Sequence, residues 1–447
     1  MRSFAVIAVC LSALSPARAQ QRASINEIRS DDDAARAFIG AEIIPINAPP
    51  ISAGVLVIRT GRIEAVGPAG LTPIPDDARR IDCRGEVIMP GLIDTHSHVG
   101  GGWGGDSSGP IQPDVRVWDS INVRDSGFKK ALAGGLTTLN VMPGSGHLCS
   151  GQTIYLKLRP GAGTIEDWAI RDDSGEILGG LKMANGTNSQ RESPFPGTRS
   201  KSAALVRQKF IDALEYRDKL AAPADDPEKR PDRNLELESL VEVLEGRRVV
   251  HHHTHRNDDI ITVLRLKKEF GFKVVLHHVS EAWMVADEIA EAGAPCSVIL
   301  VDSPGGKIEA AHLVMKTAGI LEKAGVLTAL HTDDPITDSR LFFRMAALCV
   351  RAGMTRQAAL EALTIAGAKM LELDGRIGTL EPGKDADFII LDGDPLSVYT
   401  KVLQTYVEGN LAFDRDNPND RLFAVGGYGA GQDQVMHFCC FEGPDHQ

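Results

Sequence analysis

The stretch "VIMPGLIDTHSHVGGG", Val87 to Gly102, ends an apolar run in two histidines one residue apart. Alternate side chains of a strand project from one face. His96 and His98 therefore stand side by side if this run is a strand, a spacing that suits one metal ion. The same spacing fits two unrelated polar residues at a strand end, so other parts of the chain must decide. Lys182 lies in "GGLKMANGTN"; His251, His252, His253 and His255 in "VVHHHTHRNDD"; His277 and His278 in "VVLHHVSEAW"; His331, Asp333 and Asp334 in "ALHTDDP". Nine of the 13 histidines fall at the ends of strand-like runs. Each residue alone has an ordinary explanation: a hydrogen-bonded histidine, an aspartate capping a turn or helix, a solvated lysine. Their coincidence needs a common cause. A divalent cation gathers imidazoles and carboxylates into one pocket, and the chemistry it supports is hydrolysis.

Residues so far apart meet only if their strands end on one face. After His98 the chain alternates helix-like and strand-like segments. "KSAALVRQKFIDALEYRDKLAA" carries apolar residues at helical spacing. "LELESLVEVLEG", "DDIITVLRLKKEFG", "EAWMVADEIAEAG" and "AAHLVMKTAGILEKAG" read as helices before the strands "RRVVHHHTH", "FKVVLHH", "PCSVIL" and "VLTALHTDD". Such alternation predicts parallel βα units with buried strands. About eight of them can close into a barrel with every strand C-terminus at one end. Short β-like pieces bounded by Gly and Pro flank this core at both ends: "AFIGAEIIPI" and "GVLVIRTGRIEAVG" before it, "DADFIILDGDP" and "VLQTYVEGNLAFD" after it. The expected fold is α/β: a distorted TIM (β/α)8 barrel over 91–373. A small β-sandwich is built from 37–90 and 374–423, and an irregular tail covers 424–447.

The bulk composition agrees with a globular chain: 447 residues, 43% hydrophobic and 24% charged. A formal net charge of −12 argues against binding a phosphate backbone, so no nucleic-acid partner is expected. Arg2, the apolar run Phe4–Leu14 and Ala17-Arg18-Ala19 read as a signal peptide over 1–19. The expected location is the periplasm or the exterior. A polar linker follows over 20–36, and no membrane span is expected, because the only long apolar run is too short. The cysteines show no C-x-x-C spacing and read mainly as buried thiols.

These pieces resemble the amidohydrolase superfamily, and within it an imidazolonepropionase-like, exported branch. "GEVIMPGLIDTHSHVG" is similar to the entry strand with its H-x-H. "MTRQAALEALTIAGAKMLELDGRIGTLEPGKDADFIILDGDP" is similar to the return to the β domain. The resemblance covers about Phe38 to Phe413 and implies one or two divalent ions, with zinc as the default. It implies His96, His98, Lys182, His253, His278 and Asp333 as metal ligands, Lys182 through a carbamate bridging two ions. His251 and His255 share the face of His253, and His255 remains a rival. Asp333 and His278 are the implied catalytic residues, Asp333 relaying the proton from water to the leaving nitrogen. His147, Tyr155, His255 and Arg256 are candidate substrate contacts. Thr187 and Ser189 stand where the fourth-strand motif often carries an acid and a proline. The implied reaction is hydrolysis of an amide-type C–N bond in a small cyclic or peptide-like compound. Deamination or dipeptide cleavage are the nearest alternatives, and a barrel that has lost its chemistry is a more distant one. A homo-oligomer is compatible with the sequence.

Overall fold

A computed structural model describes residues 34–102, 105–221, 231–300 and 308–426. The signal-like segment, nearly all of the polar stretch 20–36, and the tail from 427 with Cys439 and Cys440 lie outside the described residues.

The described residues form these strands in chain order: β1 Arg36–Ile43, β2 Ile51–Arg59, β3 Arg62–Pro68, β4 Arg79–Asp82, β5 Val87–Pro90, β6 Leu92–Ser97, β7 Leu136–Val141, β8 Cys149–Gln152, β9 Ile154–Lys157, β10 Leu181–Ala184, β11 Val250–Thr254, β12 Val274–His278, β13 Cys296–Val298, β14 Thr328–Leu330, β15 Phe388–Leu391, β16 Val402–Val407 and β17 Asn410–Asp414. Strands from both ends of the sequence share one eight-stranded sheet, ordered β17-β16-β15-β5-β1-β2-β3, with β4 beside β1. Phe38, Phe388 and Tyr406 pack at its core. Phe388 and Tyr406 stack at 4.5 Å, and Phe38 meets Phe388 edge-on at 4.9 Å.

Gly91 alone separates β5 from β6, and here the chain passes into the histidine-bearing sheets. A Cβ at Gly91 would stand 2.3 Å from the Thr137 methyl, so only glycine lets the two backbones approach so closely.

The central strands form a six-stranded sheet, β14-β13-β12-β11-β10-β8, and a three-stranded one, β6-β7-β9. From β10 to β14 all pairings are parallel. The stretch "CSGQTIYLK" departs from the parallel pattern. β8 runs antiparallel to β10, and β9 antiparallel to β7. Only Thr153 separates β8 from β9, far too short a link for a crossover helix. One extended segment therefore pairs first with one sheet and then with the other. At the opposite edge Ser97 bridges Asp334 in parallel, and the Asp333 amide donates to the His96 carbonyl at 2.9 Å.

The helix Arg199–Leu220 starts at Thr198, whose hydroxyl accepts from the Lys201 amide, and buries Ser202, Val206, Phe210, Ala213 and Tyr216 along one stripe. The helix expected over "AAHLVMKTAGILEKAG" is shorter, Thr317–Lys323. Before it a 3-10 turn, Ile308–Ala310, sends Glu309 inward, where it accepts from the Thr187 amide at 2.7 Å. Among the described residues no helix is long and apolar enough to cross a membrane.

Candidate metal centre

All nine strand-end histidines are buried. The His98 Nδ1 lies 2.8 Å from the Met142 carbonyl. A carbonyl only accepts, so this nitrogen carries a hydrogen, and in the neutral ring Nε2 is bare. That Nε2 faces the His96 Nε2 at 3.2 Å and the Asp333 Oδ1 at 3.0 Å; the latter two are 3.3 Å apart. Three possible ligand atoms thus point at one another. Asp333 has a left-handed backbone, φ +54°, and keeps 17% of its side chain exposed.

Lys182 is fully buried within β10, with its Nζ 3.1 Å from the His96 Nε2 and 3.2 Å from the Met142 sulfur. The His278 Nδ1 is 3.9 Å from the Asp333 Oδ2, and its ring is centred 4.4 Å from His253 and 4.8 Å from His96. His253 also meets His255, and its Nε2 is 3.9 Å from the Glu309 Oε1. His255 Nδ1 pairs with the Ser280 hydroxyl at 2.8 Å. The six residues singled out as ligands by sequence therefore adjoin one another, with His255 beside them.

Burial disfavours charge on these rings. It drives His96, His277 and His278 well below the ordinary imidazole range, with Lys182 the next influence on His96. His251 and His331 are pushed down to about 3 and His252 to about 4, again chiefly by burial. Neutral imidazole is the form that binds metal. Burial works upward on the Asp333 carboxyl, but His98 and the nearby His331 and Lys182 hold it below its ordinary value.

With this geometry in hand, the relatives can be weighed. Residues 87–418 match the model of the amidohydrolase family. The chain belongs to that family. It is a metal-dependent hydrolase acting on carbon–nitrogen bonds. An amidohydrolase of Thermotoga maritima MSB8 superposes with a TM-score of 0.78 at 32% identity, covering 85% of this chain and 100% of that one. An imidazolonepropionase of Rhizobium rhizogenes is 26% identical over 79% of this chain and 91% of its own length. The amidohydrolase tasK of Hapsidospora irregularis is 26% identical over 76% of this chain, which matches only 38% of that longer protein.

The donor set fits a divalent cation of this family: bare imidazole nitrogens and a carboxylate converge, and a positive ion there would turn their mutual repulsion into attraction. The candidate substrate contacts have partners of their own. The Arg256 guanidinium is held by Asp258 at 2.9 Å on the exposed start of the helix Asn257–Phe270. His147 is buried rather than facing solvent, and its ring packs against Phe195. Tyr155 is buried with its hydroxyl 3.0 Å from the His251 Nε2.

Two carboxylates escaped the sequence reading. Asp94 accepts from the amides of His96 and Thr332 and from the Thr332 hydroxyl, tying β6 to the segment after β14. Burial pushes its carboxyl up to about 7. Its position two residues before His96, on the same strand face, was the available signal. Glu309 gave none, since it lies in an irregular turn.

Proposed function

We propose that this chain hydrolyses the amide-type C–N bond of a small cyclic or peptide-like compound. The observation that carries this reading is the convergence of His96, His98 and Asp333 at 3.0–3.3 Å, with Lys182 and His278 alongside. His96, His98 and Asp333 would hold one divalent ion, and His253 and His278 a second, with Lys182 as a carbamate between them. Zinc suits a site rich in imidazole. When bound, such an ion supplies Lewis acidity and makes water a nucleophile near neutral pH.

The protein's own contribution centres on Asp333. Its partly exposed carboxylate is the group able to take the proton from the attacking water and return it to the leaving nitrogen. His98, fixed by Met142, orients it. His278 sits on the other side, at Asp333 Oδ2, where it can also steady charge developing on the substrate.

The wider organisation supports the same reading. The two histidine-bearing sheets form one distorted (β/α)8 barrel over 91–373, joined at one edge by the β8–β9 segment and at the other by the Ser97–Asp334 bridge. The sheet made from both termini, 37–90 and 374–423, is the small sandwich domain. The chain is exported after loss of 1–19 and acts on a small molecule.

The test is an assay of the metal-loaded protein against N-acyl amino acids, dipeptides, ring amides and aminated heterocycles. Metal-dependent cleavage of an amide, lost on chelation, is the expected result. Ammonia released from aminated heterocycles, with the amides untouched, would move the chain to the deaminases. No turnover of any class by the metal-loaded protein would favour a non-catalytic barrel.

A further inference from the structure

Beneath the centre, three hydrogen bonds join four buried side chains in a line. Tyr155 Oη lies 3.0 Å from His251 Nε2, His251 Nδ1 lies 2.9 Å from His277 Nε2, and His277 Nδ1 lies 3.3 Å from His96 Nδ1. None of the four is more than 3% exposed. Both ring nitrogens of His277 are used within the line, as are both of His251. These two histidines are therefore placed to support His96.

We propose that Tyr155, His251 and His277 are positioning residues that fix the tautomer of His96 and so set the affinity of the centre for its ion. The proposal rests on the reading of His96 as a ligand. Each of the three gaps holds one hydrogen, and each neutral ring carries one. If His96 presents a bare Nε2, its hydrogen sits on Nδ1 and points at His277 Nδ1. The hydrogen of His277 must then sit on Nε2 and point at His251 Nδ1. That of His251 then sits on Nε2 and points at Tyr155 Oη. One choice at His96 dictates every other hydrogen in the line. Without an ion the opposite direction is equally complete: Tyr155 donates, and His96 Nε2 carries a hydrogen toward the bare His98 Nε2. A hydroxyl both donates and accepts, so tyrosine can end the line in either direction. A side chain that only donates or only accepts could not.

The line predicts a graded response. Outer-sphere partners of metal-bound histidine commonly alter affinity by about 10–100-fold. His277→Phe keeps a ring of similar bulk but removes the acceptor for His96, and is expected to weaken Zn²⁺ binding by about tenfold or more. His251→Phe should lose less, and Tyr155→Phe least. The readout is competition with a chromophoric chelator for Zn²⁺, plus the visible spectrum of the Co²⁺-substituted protein, which a purely structural role would leave unchanged. His277→Gln offers an acceptor toward His96 and a donor toward His251, and should recover part of the loss. If His277→Phe does not fold, His277→Gln and Tyr155→Phe carry the same comparison. Folded variants that all bind ions with wild-type affinity and the wild-type Co²⁺ spectrum would overturn the line alone. A wild-type protein that takes up no ion would overturn the metal reading, and this proposal with it.

Discussion

Among the described residues, two buried clusters of ionisable groups are composed in opposite ways. In one, the Lys157 ammonium at the end of β9 meets Asp385, Asp387 at 3.0 Å and Glu408 at 3.2 Å. Arg159 clasps Glu408 at 2.7 Å, and Arg376 and Arg62 reach Asp385. Cations and anions alternate, and the cluster pins β9 to the terminal sheet. In the other, nine buried histidines gather near Lys182, with Asp333 as the carboxylate between His96 and His98. There, possible ligand atoms face each other. The first cluster neutralises itself and is structural. The second gathers imidazoles and a carboxylate that could hold an added cation, which makes it the candidate site.

Four measurements sharpen or break this contrast. The largest effect belongs to Asp333→Asn, which should stay folded yet lose turnover by about 10²–10⁴-fold; a fully active variant would remove Asp333 from the chemistry. Lys157→Met should do the reverse. It leaves buried carboxylates without their cation and should lower unfolding free energy by about 3–5 kcal/mol in urea titrations. A wild-type denaturation curve would show that the first cluster is not structural.

Ion removal comes next. A ligand bound only by the folded state at a hundred times its Kd stabilises by about 2.7 kcal/mol. Chelation should therefore lower the melting temperature and abolish activity, and Zn²⁺ should restore both. A melting temperature indifferent to chelator and to added Zn²⁺ would count against the second cluster as a binding site.

The smallest effect is on acid stability. Burial raises the Glu408 carboxyl, but Arg159 and Lys157 outweigh it and hold the group at about 2, below its ordinary 4.5. A carboxyl depressed by folding stabilises fully above its unfolded value and loses that contribution as pH falls toward its folded value. Wild type should thus lose stability relative to Glu408→Gln between about pH 4.5 and 2. Parallel profiles for the two proteins would contradict the sign.

The convergence of the second cluster's residues was legible in the sequence because they sit on neighbouring strands, where a two-residue period and parallel order suffice to align them. His96, His98 and Asp333 needed little more. The first cluster was not legible. Lys157 lies in the apolar run "TIYLKL", and Asp385 is 228 residues away; no local period links them. The antiparallel detour of β8 and β9 was hidden for a related reason, because apolar alternation marks a strand without naming its partner. Arg256, singled out beside His255, pairs with Asp258 two residues on, a partner that its place after a strand did not announce. The helix before β14 was overestimated because its apolar spacing continues through a turn that Glu309 stabilises from inside.

The most direct test is the metal content of the chain, produced without residues 1–19 and purified without chelator. The account predicts close to two divalent ions per chain. One ion would take Lys182 out of the centre and leave His96, His98 and Asp333 holding it. A folded protein with none, which cannot be loaded with Zn²⁺ afterwards, would contradict the reading of the histidine cluster as a metal centre.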